Sequence, residues 1–165
     1  MFITFEGSDG SGKTSQIPAL AKLLRESGYN VLTTREPGGT LIGDQIRAIL
    51  SDHGNTAMSA RAESLLFMAA RAQLVSEVIQ PHLQAGGIVI SDRYAESTLA
   101  YQGYGRKLDL QQLRVLLDYA TYALKPDLIL LLDIDVEEGL RRRMQGGGLN
   151  RLDILEVNFY QRVRR

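Results

Sequence analysis

The amino-acid sequence predicts an α/β chain built on an open parallel sheet with helices on both faces. Two observations carry this. Short continuous apolar runs alternate with segments of helical periodicity, and a glycine-rich turn joins the first run to the first helix. Phe2 to Phe5, Ile88 to Ile90 and Leu128 to Leu132 are unbroken apolar runs, with Val31 to Thr34 as a fourth. Strands buried on both faces read this way, whereas half-exposed strands alternate. Ile17, Leu20, Ala21 and Leu24 repeat at helical spacing, as do Leu113, Leu116, Leu117 and Ala120. Ser27-Gly28 marks a helix stop, and Asp109 with Gln112 marks a helix start. Right-handed crossovers between such strands place ligands at their carboxyl ends, here just after Phe5, Thr34, Ile90 and Leu132.

Ser59 to Ala85 reads as one long helical stretch that Pro81 bends or divides, because a proline inside a helix removes a hydrogen bond. Leu65, Phe67, Ala70, Leu74 and Val78 spread around it, so burial on two sides is expected, one of them against a second subunit. Pro18 falls just beyond the first turn of the first helix, and nothing in the sequence explains it.

With 165 residues, 44% of them hydrophobic, the chain suits one core and is too short for two ordinary domains. The expectation is a single domain over residues 1–165. Nineteen basic residues balance nineteen acidic ones, so no global field favours nucleic acid or an anionic membrane. Any phosphate affinity has to be local. Cysteine is absent, and His53 and His82 are too few for a histidine zinc centre. No signal peptide or membrane-length run stands out, and the reading is of a soluble cytoplasmic protein.

Gly7-Ser8-Asp9-Gly10-Ser11-Gly12-Lys13-Thr14 fits G-x-x-x-x-G-K-[ST] and lies between a buried strand and an amphipathic helix. In that setting backbone N–H groups wrap a β-phosphate, Lys13 reaches the β- and γ-phosphates, and the Thr14 hydroxyl takes a magnesium position. The loop predicts binding of a nucleoside triphosphate with Mg²⁺, ATP once the resemblance below is counted, without saying which reaction follows. After the third strand come Asp92-Arg93-Tyr94: the acid suits a magnesium-bound water and the arginine a phosphate, with a structural ion pair as the plain alternative. The guanine reader and the switch motif of GTPases are absent, as is the signature of transporter ATPases. Phe67 and Arg71 lie four residues apart, so on a helix a ring can stack on a flat base while a guanidinium donates to its edge. Such a donor suits a base edge that presents an acceptor and rejects one that presents an amino group, although for Phe67 alone plain core packing is the simpler reading.

Arg35-Glu36-Pro37-Gly38-Gly39-Thr40, Ile46-Arg47, Leu66-Phe67 with Arg71, and the run from Asp92 to Gly103 resemble, in order and spacing, the motifs of bacterial thymidylate kinases, a family of P-loop nucleoside monophosphate kinases. The resemblance implies a three-layer α/β/α fold with strand order 2-3-1-4 and a fifth strand beyond Arg165. It implies ATP-dependent conversion of dTMP to dTDP for dTTP synthesis, and a homodimer. Residue by residue, it implies that Thr98 and Gln102 complete the base-edge contacts and that Tyr101 packs where a 2′-hydroxyl would sit. Asp9 would contact the 3′-hydroxyl, while Arg35, Arg47 and Arg93 gather the substrate phosphate, Arg93 with Lys13 also facing the transferred group. Asp92 and Thr14 are the implied metal residues. Such kinases carry a transition-state arginine in the phosphate loop or in a lid. The loop here has none, so a lid over about residues 141–153 is expected to supply Arg151 first and Arg143 second.

Two departures stand out. Relatives read Asp-Arg-x-Glu where this chain has Asn150-Arg151-Leu152-Asp153, which puts a metal role for Asp153 in doubt. Relatives also continue past this chain's last residue through a strand and a helix, with a loop that helps hold adenine; either the sequence is incomplete or the adenine site is unusual. A kinase for another nucleotide or a deoxynucleoside, and a non-catalytic nucleotide-binding subunit, are the alternative functions.

Overall fold

In the computed structural model, residues 1–147, 150–152 and 155–164 are described. Four parallel strands, β1 (Phe2–Glu6), β2 (Val31–Arg35), β3 (Ile88–Asp92) and β4 (Leu128–Leu131), form one sheet in the order β2-β3-β1-β4. This is the expected order. Ile3 pairs with Ile90 on one side and Leu128 on the other, which brings the carboxyl ends of β1 and β3 together at Phe5 and Asp92.

Helix α1 (Lys13–Glu26) covers one face, burying Ile17 and Ala21 against Ile3, Phe5, Val31, Ile88 and Ile90. It runs through Pro18 and stops at Ser27, after which Gly28 takes a positive φ that a side chain would strain. On the other face Phe2, Val89 and Tyr94 pack against Leu74, Val75 and Ile79.

The long stretch does divide. It gives α3 (Ala60–Leu74), a π-helical turn over Val75–Ile79 and α4 (Gln80–Gln84), with Pro81 at the start of α4. The wider turn falls where Pro81 has no N–H for the carbonyl four residues back. Before it lies α2 (Leu41–Ser51), capped by Thr40, whose Oγ1 accepts from Gly43 N at 2.9 Å. After β3 come α5 (Ala95–Thr98), a second π-helical segment over Leu99–Gly105, and α6 (Leu110–Thr121). The expected start of α6 is formed: Asp109 Oδ1 accepts from Gln112 N at 2.8 Å. Two further helices, α7 (Val136–Gln145) and α8 (Val157–Arg164), complete the order.

Two expectations of burial are corrected. Strand β2 is not buried on both faces: its burial alternates and Thr33 is exposed. The apolar run of β4 is not buried: Leu131 is 69% exposed and Leu128 44%. Among the described residues β4 pairs only with β1, so the strand forms the sheet's edge.

Candidate active site

The loop from Gly7 to Gly12 closes tightly at two of its glycines. Gly7 has φ +133°, and a Cβ there would stand 2.3 Å from the Leu132 carbonyl oxygen; one on Gly10 would stand 2.4 Å from that of Gly139 in α7. The loop is therefore pressed against the base of α7, and only glycine fits at either contact. Lys13 is buried and its Nζ donates to the carbonyls of Gly7 and Ser8 at 2.8 and 2.9 Å. Burial and the charge of Arg93 bring its pKa down to about 8, against the pull of Asp9, Asp92 and Glu6.

Arg93 sits at the tip of β3 in the left-handed region, with φ 73°. That conformation is costly for an arginine and holds only where the surroundings fix it. Here they do so on every side. Arg93 N donates to Phe5 O at 2.9 Å, and Ser91 Oγ donates to Arg93 O at 2.8 Å. The carboxylate of Glu6 accepts from Tyr94 N at 2.8 Å and from Ser97 Oγ at 2.6 Å. The guanidinium then reaches Asp9 Oδ1 at 2.8 Å, Ser97 Oγ at 3.1 Å and the Tyr101 hydroxyl at 3.3 Å, and lies 5.1 Å from the Tyr101 ring centre. Burial works to raise the Asp9 carboxyl, but Arg93 and Lys13 outweigh it and hold the pKa below the usual range. Burial prevails at Glu6 and raises its pKa despite Ser97 and Arg93. The role of Glu6 escaped the sequence reading; its only signal is an acid closing an apolar strand.

Two adjoining cavities meet at Asp9, Arg47 and Arg93. The smaller, about 260 Å³, is lined by Lys13, Thr14, Arg35, Arg47, Asp92 and Arg93. Arg47 donates to Pro37 O at 2.8 Å, and burial together with the charge of Arg35 lowers its pKa. Arg35 is exposed and 3.4 Å from Asp44. Four cations around one small space suit a phosphate dianion. Asp92 Oδ1 is buried there without a hydrogen-bond partner. An orphaned carboxylate oxygen beside the exposed Thr14 fits Mg²⁺, which keeps water and substrate oxygens and needs only one or two protein ligands.

The larger cavity, about 330 Å³, is lined by Phe67, Arg71, Thr98, Tyr101 and Gln102 and opens towards Arg143 and Tyr160. Phe67 and Arg71 do share it, but Arg71 is largely committed to partners within the protein. It is 2% exposed, and its Nε donates to Glu36 Oε2 at 2.7 Å, Nη1 to Thr98 Oγ1 at 2.9 Å and Nη2 to Tyr94 O at 2.8 Å. A further Nη1 contact meets only the Met68 sulfur, at 4.0 Å, leaving donor capacity for a ligand. Glu36 was part of the quoted motif with no role; its partner 35 residues away has no signature in spacing.

The two arginines expected of a lid separate. Arg143 lines the larger cavity and donates from Nη1 to Gly147 O at 2.8 Å. Arg151, the first choice from sequence, is 6% exposed and turned into the protein: Nη2 meets Glu63 Oε2 at 2.8 Å and Nε meets Leu50 O at 3.1 Å. Gly148 and Asp153 lie outside the described residues. No helix among the described residues is long and apolar enough to cross a membrane.

Comparison with known proteins agrees with this arrangement. The sequence model of a family described as thymidylate kinase matches residues 5–165. The thymidylate kinase of a Roseiflexus species is 51% identical over 175 residues, covering 99% of this chain and 77% of its own length. That of Geotalea daltonii is 51% identical over 170 residues, covering 99% of this chain and 79% of its own length. The crystal structure of thymidylate kinase from Ehrlichia chaffeensis matches with a TM-score of 0.80 at 39% identity, covering 99% of this chain and 80% of that one. The chain belongs to the thymidylate kinase family.

Proposed function

We infer that the chain transfers the terminal phosphoryl group of ATP to dTMP, giving dTDP and ADP for dTTP synthesis. The observation that carries this is the junction of the two cavities: a half-apolar pocket with Phe67 and Arg71 at one end runs into the cation-lined space beside the phosphate loop. A nucleoside monophosphate fits that sequence of environments with its base first and its phosphate at Arg93.

The acceptor needs no general base. The second pKa of a phosphate monoester is about 6, so at neutral pH its oxygen is already a nucleophile. Its attack on the γ-phosphorus forms one P–O bond while the bond to the ADP oxygen breaks. The chain's task is positioning and charge neutralisation. Arg93, Arg35 and Arg47 hold the acceptor phosphate, and Asp9 takes the sugar's 3′-hydroxyl. Lys13 leaves the loop carbonyls for the donor phosphates, and Arg143 is the lid arginine that faces the transferring group. Magnesium, held through Thr14 and Asp92, would neutralise the charge on the β- and γ-oxygens.

A homodimer belongs to the same proposal, supported by exposed Leu41, Ile42, Ile49 and Leu65 on the adjacent helices α2 and α3; light scattering tests it. So does a cytoplasmic location. A coupled assay of ADP release across nucleoside monophosphates and nucleosides tests the activity. It is expected to show dTMP preferred, dUMP poorer by the about 1–3 kcal/mol a buried methyl contributes, and dCMP weaker still. Preference for another acceptor, or no turnover with any, would overturn it.

A further inference from the structure

Glu63 lies on α3, four residues before Phe67 and eight before Arg71, so the three share one helical face. Its side chain is fully buried, 1% exposed. It gathers four donors: Gln102 Nε2 and Arg106 Nε reach Oε1 at 3.0 and 3.1 Å, while Arg106 Nη2 and Arg151 Nη2 both reach Oε2 at 2.8 Å. Burial would raise the carboxyl, but hydrogen bonds from Arg106, Gln102 and Arg151 outweigh it and hold the pKa below the usual range. At neutral pH the group is a carboxylate, and a carboxylate only accepts.

That settles which way the Gln102 carboxamide turns. Its NH₂ has to face Glu63, which leaves Oε1 as the atom presented to the cavity that Gln102 lines. No donor among the described residues meets that oxygen. One turn back in the chain, Arg71 donates to Thr98 Oγ1, so the Thr98 hydroxyl hydrogen points elsewhere and is free to donate. The α3 face therefore polarises both base-edge partners, setting a donor at Thr98 and an acceptor at Gln102. Thymine shows the complement: O4 accepts and N3–H donates. Cytosine shows the opposite at both atoms.

We propose that Glu63 is a positioning residue for base selection, fixing the Gln102 amide so that its oxygen accepts a pyrimidine N3–H and turns away a base whose N3 is itself an acceptor. This rests on the dTMP-kinase reading above. Its consequence is specific. In Glu63→Gln the amide oxygen is favoured at the Oε2 position, where two arginine Nη2 groups converge, over Oε1, where one arginine Nε and Gln102 meet; its NH₂ then faces Gln102 and Arg106 Nε. Gln102 then flips, puts its own NH₂ into the cavity, and suits cytosine in place of thymine.

The test measures kcat and KM for dTMP and dCMP in the full chain, for wild type, Glu63→Gln, Gln102→Leu and the double variant. The dTMP-over-dCMP preference in kcat/KM is expected to fall at least about tenfold in Glu63→Gln, or roughly 1.4 kcal/mol, mainly through a higher KM for dTMP. Glu63→Gln should change the ratio no further once Gln102 is leucine, since the effect runs through that amide. Equal losses on both substrates with the ratio unchanged would reduce Glu63 to a structural role and overturn the proposal, as would the same ratio change persisting in the leucine background. Should Glu63→Gln fail to fold, NMR of the wild type decides. A Gln102 side-chain amide protected from exchange, and still protected with dTMP bound, supports the proposal; a freely exchanging one overturns it. A wild type with no dTMP activity removes the functional reading and this inference together, whereas an active wild type with an unshifted ratio removes this inference alone.

Discussion

Asp9 and Arg93 form an ion pair 2.8 Å long that ties the phosphate loop to the tip of β3, 84 residues away in sequence. Asp9 is 43% exposed and remains reachable from the cavity that both residues line. On the proposed reading it accepts the 3′-hydroxyl of dTMP while Arg93 takes the phosphate. Removing the 3′-hydroxyl should then weaken kcat/KM by the about 1.5–3 kcal/mol of a hydrogen bond to a charged group. That penalty should largely vanish in Asp9→Ala. Assaying dTMP and its 3′-deoxy analogue on both proteins checks it, and an undiminished penalty in the variant would move the 3′-hydroxyl contact elsewhere.

Tyr101 lines the pocket and accepts a hydrogen bond from Arg93. Tyr101→Ala is expected to erode the preference for dTMP over its ribose counterpart at least about tenfold, or roughly 1.4 kcal/mol. Tyr101→Phe should keep the preference, because the ring and not the hydroxyl excludes the 2′-oxygen. Substrate ratios measured side by side separate this from a general loss through Arg93, which would lower both activities alike.

Arg71 and Glu36 are a pair 2% and 3% exposed, so removing one strands the other. Arg71→Ala should lose about 3–5 kcal/mol of stability at neutral pH, besides weakening the exclusion of dCMP. Burial already raises the Glu36 carboxyl against the opposing charge of Arg71. A group whose pKa is raised on folding favours the native state below its unfolded pKa and loses that contribution as pH rises through its folded pKa. Without Arg71 the folded pKa climbs further, so the variant's deficit against wild type should shrink from pH 7.5 to 5.5. Thermal unfolding at both values reads the change, and a constant deficit would mean Glu36 is not the stranded group.

The separation of the lid arginines gives opposite expectations for the two. Arg143→Ala should lower kcat at least about tenfold while dTMP affinity without ATP hardly moves, as for a charge met only in the transition state. Arg151→Ala should act mainly on stability, by exposing the imbalance at Glu63. Single-turnover rates and unfolding curves for both variants distinguish the roles; a large kcat loss confined to Arg151→Ala would restore it as the catalytic arginine.

With its pKa brought down to about 8, Lys13 loses its proton in the free protein within reach of ordinary buffers. ATP phosphates favour the charged amine, so binding above that pH takes up a proton and affinity falls as pH rises. The expected weakening is up to about tenfold per unit above pH 8. Calorimetry of ATP binding at pH 8.5 in buffers of different ionisation enthalpy should show the uptake, and Lys13→Met should abolish it.

What the sequence by itself determined is what local spacing can encode. Continuous apolar runs marked all four strands, Asp109 with Gln112 marked the start of α6, and Pro81 marked the break in the long helix, because each depends on neighbours within a turn or two. The phosphate loop was legible for the same reason: its glycines answer backbone contacts that occur wherever a strand turns tightly into a helix. Only the tertiary structure decided the polar partners. Glu63 meets Gln102, Arg106 and Arg151 at separations of 39, 43 and 88 residues, and Glu6 meets Tyr94 88 residues on. Such pairs leave no periodicity, since what matters is a single distance set by how helices and strand ends dock. Arg151 shows the consequence: its sequence register suited a lid finger, but the buried Glu63 carboxylate and the Leu50 carbonyl accept from its guanidinium and hold it inward.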